Sequence, residues 1–150
     1  MPVRSSDQLA GTWKLVAASS ATSTGDRDET PYGLGPTGFL TYTSEGRMCT
    51  VISYGGRKAL SFGREGAAQI EEQANAFRTC LAYAGRFTLD GDTLTHHVEV
   101  SSIQNYVGRD LVRNIKFEGD KIILTTPPTP VNGKIQTVVL AWQRLTPTTA

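Results

Sequence analysis

Two short turns, Asp90-Gly91-Asp92 and Glu118-Gly119-Asp120, each join two runs of alternating polar and apolar residues. A chain that reverses in so few residues, with glycine free to take positive φ, can only place the flanking runs antiparallel and side by side. The runs so joined are Arg86 to Leu89, Thr93 to Val100, Asp110 to Glu118 and Lys121 to Thr126; Ile135 to Leu145 forms a further one. Three more precede them: Thr12 to Ala18, then Gly38 to Thr43 and Met48 to Ser53, which the turn Ser44-Glu45-Gly46 joins with Gly46 supplying the positive φ. The likeness of the two turns reflects turn chemistry and not a sequence repeat. Short strands in series with tight turns predict an antiparallel meander, which removes its exposed edges by closing on itself. The expected fold is all-β, an eight-stranded antiparallel barrel, with a two-sheet sandwich as the other architecture. An eight-stranded barrel has room inside for filling side chains or one small ligand.

One helix interrupts the strands. Ile70, Ala74, Phe77 and Leu81 recur at spacings that align a single apolar stripe, which predicts a helix over Ala67 to Ala82 closed by Gly85. It falls between the third and fourth strands, where its stripe is placed to plug one end of the barrel. Two segments read as irregular: Ser19 to Gly35, long enough to be functional, and the glycine-rich, basic Tyr54 to Gly66.

The 150 residues make one expected domain over 1–150, with 39% hydrophobic residues for a modest core. Fifteen Lys and Arg against 14 Asp and Glu leave a net charge of +1 with no basic run, so nucleic acid is not an expected partner. No apolar run approaches the roughly 20 residues of a membrane helix. Met1 to Ser6 carries no apolar core after its charge, which reads as no secretory signal and a cytoplasmic location. Cys49 and Cys80 fit no metal or redox spacing and read as free thiols, with a disulfide between them the alternative. Tyr54-Gly-Gly-Arg-Lys58 lacks the strand–helix context of a phosphate loop, no serine sits at a nucleophile elbow, and two adjacent histidines cannot share a metal from one strand. No cofactor and no metal are expected.

The residues suited to chemistry gather on Thr93-Leu-Thr-His-His-Val-Glu-Val100. With period-two alternation, Leu94, His96, Val98 and Val100 share the apolar, inward face, and His97 lies beside Glu99 on the other. These are the two histidines of the chain, and either is suited to acid–base work near neutral pH. On Asp110 to Glu118 the more apolar set is Leu111, Arg113, Ile115 and Phe117, which turns Arg113 inward on the strand paired with that of His96. A buried Arg keeps its proton and needs a partner or an anion, so His96 and Arg113 form the candidate polar patch. Pairing of Arg113 with Glu99, and a structural His96, is the alternative. A one-residue bulge would instead turn His97 and Glu99 inward as an acid–base pair. Around either patch, Tyr83 and Tyr106 are placed to reach a barrel mouth, and Phe39, Tyr42 and Leu124 to line the lumen.

Several segments together resemble the bacterial and fungal lipocalin-like domain family of small calycin-type barrels. These are Leu9-Ala-Gly-Thr-Trp-Lys-Leu-Val16, the hairpin Gly35 to Met48, Leu81-Ala-Tyr-Ala-Gly85, Asp90 to Val100, Val107-Gly108 with Val112-Arg113, Leu124-Thr-Thr-Pro-Pro128, and Trp142-Gln-Arg144. The first contains the Gly-x-Trp signature at Gly11 and Trp13. The resemblance implies that Trp13 closes one barrel end beneath an Arg from the last strand, here Arg144. It also implies binding of a small hydrophobic or aromatic molecule in the lumen, by a monomer or homodimer. The alternative is a cofactor-independent cyclase or isomerase of natural-product biosynthesis; a barrel filled by its own side chains, serving as an interaction domain, is a third reading.

Overall fold

A computed structural model describes residues 6–61, 69–131 and 133–148. The chain runs β1 (Gly11–Thr22), β2 (Arg27–Asp28), β3 (Thr37–Tyr42), β4 (Arg47–Ser53), α1 (Ile70–Arg78), β5 (Cys80–Asp90), β6 (Thr93–Ser101), β7 (Asp110–Glu118), β8 (Lys121–Thr125), β9 (Thr129–Val131) and β10 (Lys134–Arg144). Every pairing is antiparallel. β1 pairs with both β3 and β10, so β1, β3–β8 and β10 close into the expected eight-stranded barrel, and β2 and β9 are short additions. The three tight turns put Gly46, Gly91 and Gly119 at φ of +89°, +59° and +63°, where a Cβ would be strained. Cys49 and Cys80 are unbridged. Among the described residues, no helix is long and apolar enough to cross a membrane.

The inward face follows the alternation. On β3 and β4, Leu40, Tyr42, Met48, Thr50 and Ile52 are buried; on β6, Leu94, His96 and Val98; and on β8, Ile122 and Leu124. One end of the barrel is packed solid around Leu9, Trp13 and Trp142. The Trp13 indole donates to the Leu9 carbonyl at 2.9 Å. Arg144 lies 4.2 Å above the Trp13 ring and donates to the carbonyls of Ala10, at 2.7 Å, and Gln8. Gly11 takes φ +127°, and a Cβ there would come within 2.9 Å of Arg144 Nη1, so the glycine of Gly-x-Trp makes room for the guanidinium. Arg144→Met removes a cation–π contact and two charge-assisted hydrogen bonds, and is expected to lower stability by about 2 kcal/mol in urea unfolding. A loss below about 0.5 kcal/mol would mark the stack as ornamental.

Three expectations are corrected. The helix is shorter, Ile70–Arg78, with the expected start at Ala67 outside the described residues. Leu81 and Gly85 belong to β5, because the edge of β4 hydrogen-bonds the chain from Cys80 onward. The helix plugs nothing: it has no buried residue, with Ile70 83% and Phe77 50% exposed. Val100, placed inward by strict alternation, is 62% exposed, because the β5–β6 register shifts between Ala84 and Gly85 and leaves Glu99 unpaired. The segment Ser19 to Gly35 also holds more structure than its composition suggests. β1 extends to Thr22 and pairs with β2, and the Gly55 amide donates to the Tyr32 carbonyl at 2.9 Å.

Candidate functional site

Above the packed end the lumen is open, a cavity of about 180 Å³. Its wall combines Leu40, Ile52, Leu81, Leu124, Val138, Leu140 and Trp142 with Thr50, Thr126, Tyr32, Tyr83, Tyr106, His96 and Arg113. A larger depression, of about 550 Å³, lies outside the barrel between α1 and residues 56–61 and lacks this aromatic lining.

His96 is the centre of the polar patch. It is 2% exposed, with Tyr42 Oη 2.7 Å from Nε2 and Tyr83 Oη 2.8 Å from Nδ1. Burial, reinforced by the Arg113 charge and by His97, pushes its pKa down to about 3, so the ring is neutral at physiological pH. Burial also raises both phenols, Tyr83 to about 12 and Tyr42 well above the usual tyrosine range. Arg113 faces the cavity from β7, two residue pairs along from His96: Leu94 opposes Arg113 and His96 opposes Leu111. The guanidinium donates to the Val112 carbonyl at 2.9 Å, and among the described residues it forms no salt bridge.

The other expected residues divide cleanly. Tyr83, Tyr106 and Leu124 line the cavity, whereas Tyr42 lies beneath it, joined to it through His96. Phe39 is corrected: it is 44% exposed on the outer face, because Gly38, Leu40 and Tyr42 take the inner positions of β3. His97 and Glu99 face outward as alternation places them, and the reading corrected is the bulged alternative that turns them inward as an acid–base pair. His97 lies outside the barrel, with Nδ1 2.8 Å from Asp110 Oδ1 and Nε2 3.0 Å from Thr88 Oγ1. Glu99 pairs outside with Arg47 at 3.0 Å and approaches Arg86 at 3.9 Å, so it is neither the partner of His97 nor that of Arg113. The bulge does exist, but it lies after His97 and leaves the inward direction of His96 unchanged.

Sequence reasoning missed Tyr32 and Trp142 as lumen residues. Tyr32 comes from the loop before β3 and its ring meets Tyr54 edge-on at 5.0 Å, so it is held over the mouth. The one signal for it was an aromatic between turn formers, Pro31-Tyr32-Gly33. Trp142 is 2% exposed, and its Nε1–H has no hydrogen-bond partner among the described residues.

Residues 10–145, nearly the whole barrel, match the Lipocalin-like domain family. The chain belongs to that family. A curated relative, the 4'-hydroxy-3'-methoxypropiophenone carrier protein ppsC of Aspergillus oryzae, is 37% identical over 84 residues, covering 50% of this lipocalin-like chain and 76% of the relative. A solved structure, secretory abundant heat soluble protein 4 of Ramazzottius varieornatus, aligns with a TM-score of 0.40 at 14% identity, covering 92% of this chain and 95% of that one.

Proposed function

We propose that this lipocalin-like protein binds a small hydrophobic molecule, a single-ring aromatic, inside its barrel. The cavity at His96 and Arg113 carries the reading. A dry cavity of roughly 150 Å³ accepts a benzene, and drug-sized ligands need about 300 Å³ or more. At about 180 Å³ the lumen matches one ring with short substituents. Its wall is mostly apolar, with a few convergent polar groups to orient a ligand. The Aspergillus relative, named as the carrier of an aryl ketone, supports the same class of cargo. In this reading the chain acts as a one-domain carrier in the cytoplasm, as a monomer or homodimer, with Tyr83, Tyr106 and Leu124 touching the ligand and Arg113 near its polar end.

The cofactor-free isomerase or cyclase reading asks for a base in the lumen. The described residues lining the cavity include no carboxylate, and His96 has both ring nitrogens engaged and a pKa near 3. A group so reluctant to take a proton is a poor general base at neutral pH. Binding therefore accounts for the site with fewer demands.

Calorimetry with ethylbenzene, an apolar single ring, tests this. The expected result is one site per chain with a negative heat-capacity change. In Leu140→Trp, which fills a half-buried wall position of the cavity, binding is expected to disappear while the fold persists. Unchanged binding in that variant would place the ligand elsewhere.

A further inference from the structure

The pair of tyrosines on His96 fixes the hydrogen-bond polarity of the lumen, and with it the polar group a ligand must carry. Neutral His96 has one N–H and one lone pair, so one tyrosine must donate to it and the other must accept. Tyr42 is 1% exposed, and His96 is its one hydrogen-bond partner among the described residues. If Tyr42 accepted from Nε2–H, its own hydroxyl proton would be buried without a partner, an arrangement native interiors avoid. Tyr42 therefore donates to Nε2. The ring proton then sits on Nδ1 and is donated to Tyr83 Oη across the 2.8 Å contact. Tyr83 lines the cavity, and with its lone pair engaged by His96 its hydroxyl proton is left to donate to what the cavity holds.

Two further donors share this wall. The Trp142 indole N–H is buried and unpartnered among the described residues, and the Arg113 guanidinium can only donate. Thr50 directs its hydroxyl proton to the Phe39 carbonyl at 3.0 Å. The deep polar groups of the lumen thus offer protons and ask for an acceptor.

We infer that the lumen selects an aromatic carbonyl compound, its oxygen accepting from Tyr83 at the end of the chain Tyr42→His96→Tyr83, in preference to the corresponding alcohol or hydrocarbon. An alcohol can also accept from Tyr83, but its own proton then lies among the donors Trp142 and Arg113 and must turn away to a hydroxyl oxygen of the wall, such as that of Thr50, to be paired. The hydrocarbon leaves the Tyr83 proton unpaired. Either mismatch is expected to weaken binding about tenfold or more. This inference rests on the lumen being the binding site, and the experiment separates the two.

Binding of acetophenone, 1-phenylethanol and ethylbenzene, which share one ring and nearly one size, is compared by calorimetry in the wild type and in Tyr83→Phe. The expected wild-type result is acetophenone at least about tenfold tighter than the other two. In Tyr83→Phe the ketone preference should vanish, because acetophenone loses its donor and ethylbenzene no longer leaves a hydroxyl proton unpaired. If all three bind the wild type equally, or if Tyr83→Phe keeps the ketone preference, the carbonyl assignment is overturned and the binding reading stands. If none binds, both fall. ¹⁵N NMR of the ligand-free wild type reads the relay without any ligand. A proton on Nδ1 of His96 is expected, and one on Nε2 would overturn the chain of donors even if the variant did not fold.

Discussion

Gly85→Ala is expected to destabilise the barrel by about 3 kcal/mol or more, or to prevent folding, far beyond the effect of an ordinary glycine replacement. A Cβ at Gly85 would lie 1.9 Å from the His97 carbonyl oxygen and 3.0 Å from the Glu99 amide nitrogen. Both are backbone atoms, so no rotamer change relieves the clash. The approach is close because this is the bulge: Gly85 opposes Val98, Ala84 opposes Val100, and Glu99 is left over. Alternation holds through Val98 and Glu99, and the bulge then sends Val100 to solvent and brings Ser101 opposite Tyr83. Forcing the strands apart there also disturbs the register that holds Tyr83 2.8 Å from His96. Gly119→Ala is the comparison. Its turn has φ +63° and nothing within 4 Å of the added Cβ, so backbone strain of about 1 kcal/mol is the whole expected loss. Urea unfolding of both variants decides. If Gly85→Ala falls within about 1 kcal/mol of Gly119→Ala, the close approach is looser than these distances say.

The same bulge explains why the site was only partly legible in the sequence. Alternation correctly turned His96, Leu124 and Arg113 inward, because inward and outward positions differ in chemistry along β6, β7 and β8. It failed at Val100, where an extra residue shifts the phase and the sequence shows only a glycine on the neighbouring strand. That glycine also mimics a helix stop, since Leu81 continues the spacing of Ile70, Ala74 and Phe77. The hydrogen bonds offered by β4 outweighed that local pattern and drew Cys80 to Arg86 into the sheet. Aromatic character alone does not turn Phe39 inward. The alternation of Gly38, Leu40 and Tyr42 already assigned it to the outer face. The hydrogen bonds that join His96 to Tyr42 and Tyr83 could not be read at all, because the register of β3, β5 and β6, and no local pattern, brings the three side chains together. Tyr42 and His96 are 54 residues apart.

Acidification is expected to expose the neutral state of His96 as a loss of stability between pH 6.5 and about 3. The unfolded chain carries His96 at its ordinary value of 6.5, and the folded chain holds it near 3. Below 6.5 the unfolded state therefore binds a proton that the folded state refuses, and protonation favours unfolding. The slope reaches about 1.4 kcal/mol per pH unit and sums to about 4 kcal/mol across the window. Above pH 7 the group contributes no slope. Burial is the main cause, and the Arg113 charge acts in the same direction. Tyr42 and Tyr83 oppose neither, since both are neutral hydroxyls throughout this range. Carboxylates such as Asp26, whose pKa is lowered chiefly by its hydrogen bond to Lys134, also lose stabilisation in acid. The informative quantity is therefore the difference between the wild type and His96→Gln. At pH 7 the variant should be the less stable, having disturbed two tyrosine hydrogen bonds. As the pH falls from 6.5 to 4.5 the wild type should lose stability faster, so the two unfolding free energies converge. Parallel curves across that interval would mean that His96 accepts its proton near the usual value. A charged ring could donate to both tyrosines, and the one-way chain from Tyr42 to Tyr83 would no longer be required by the structure.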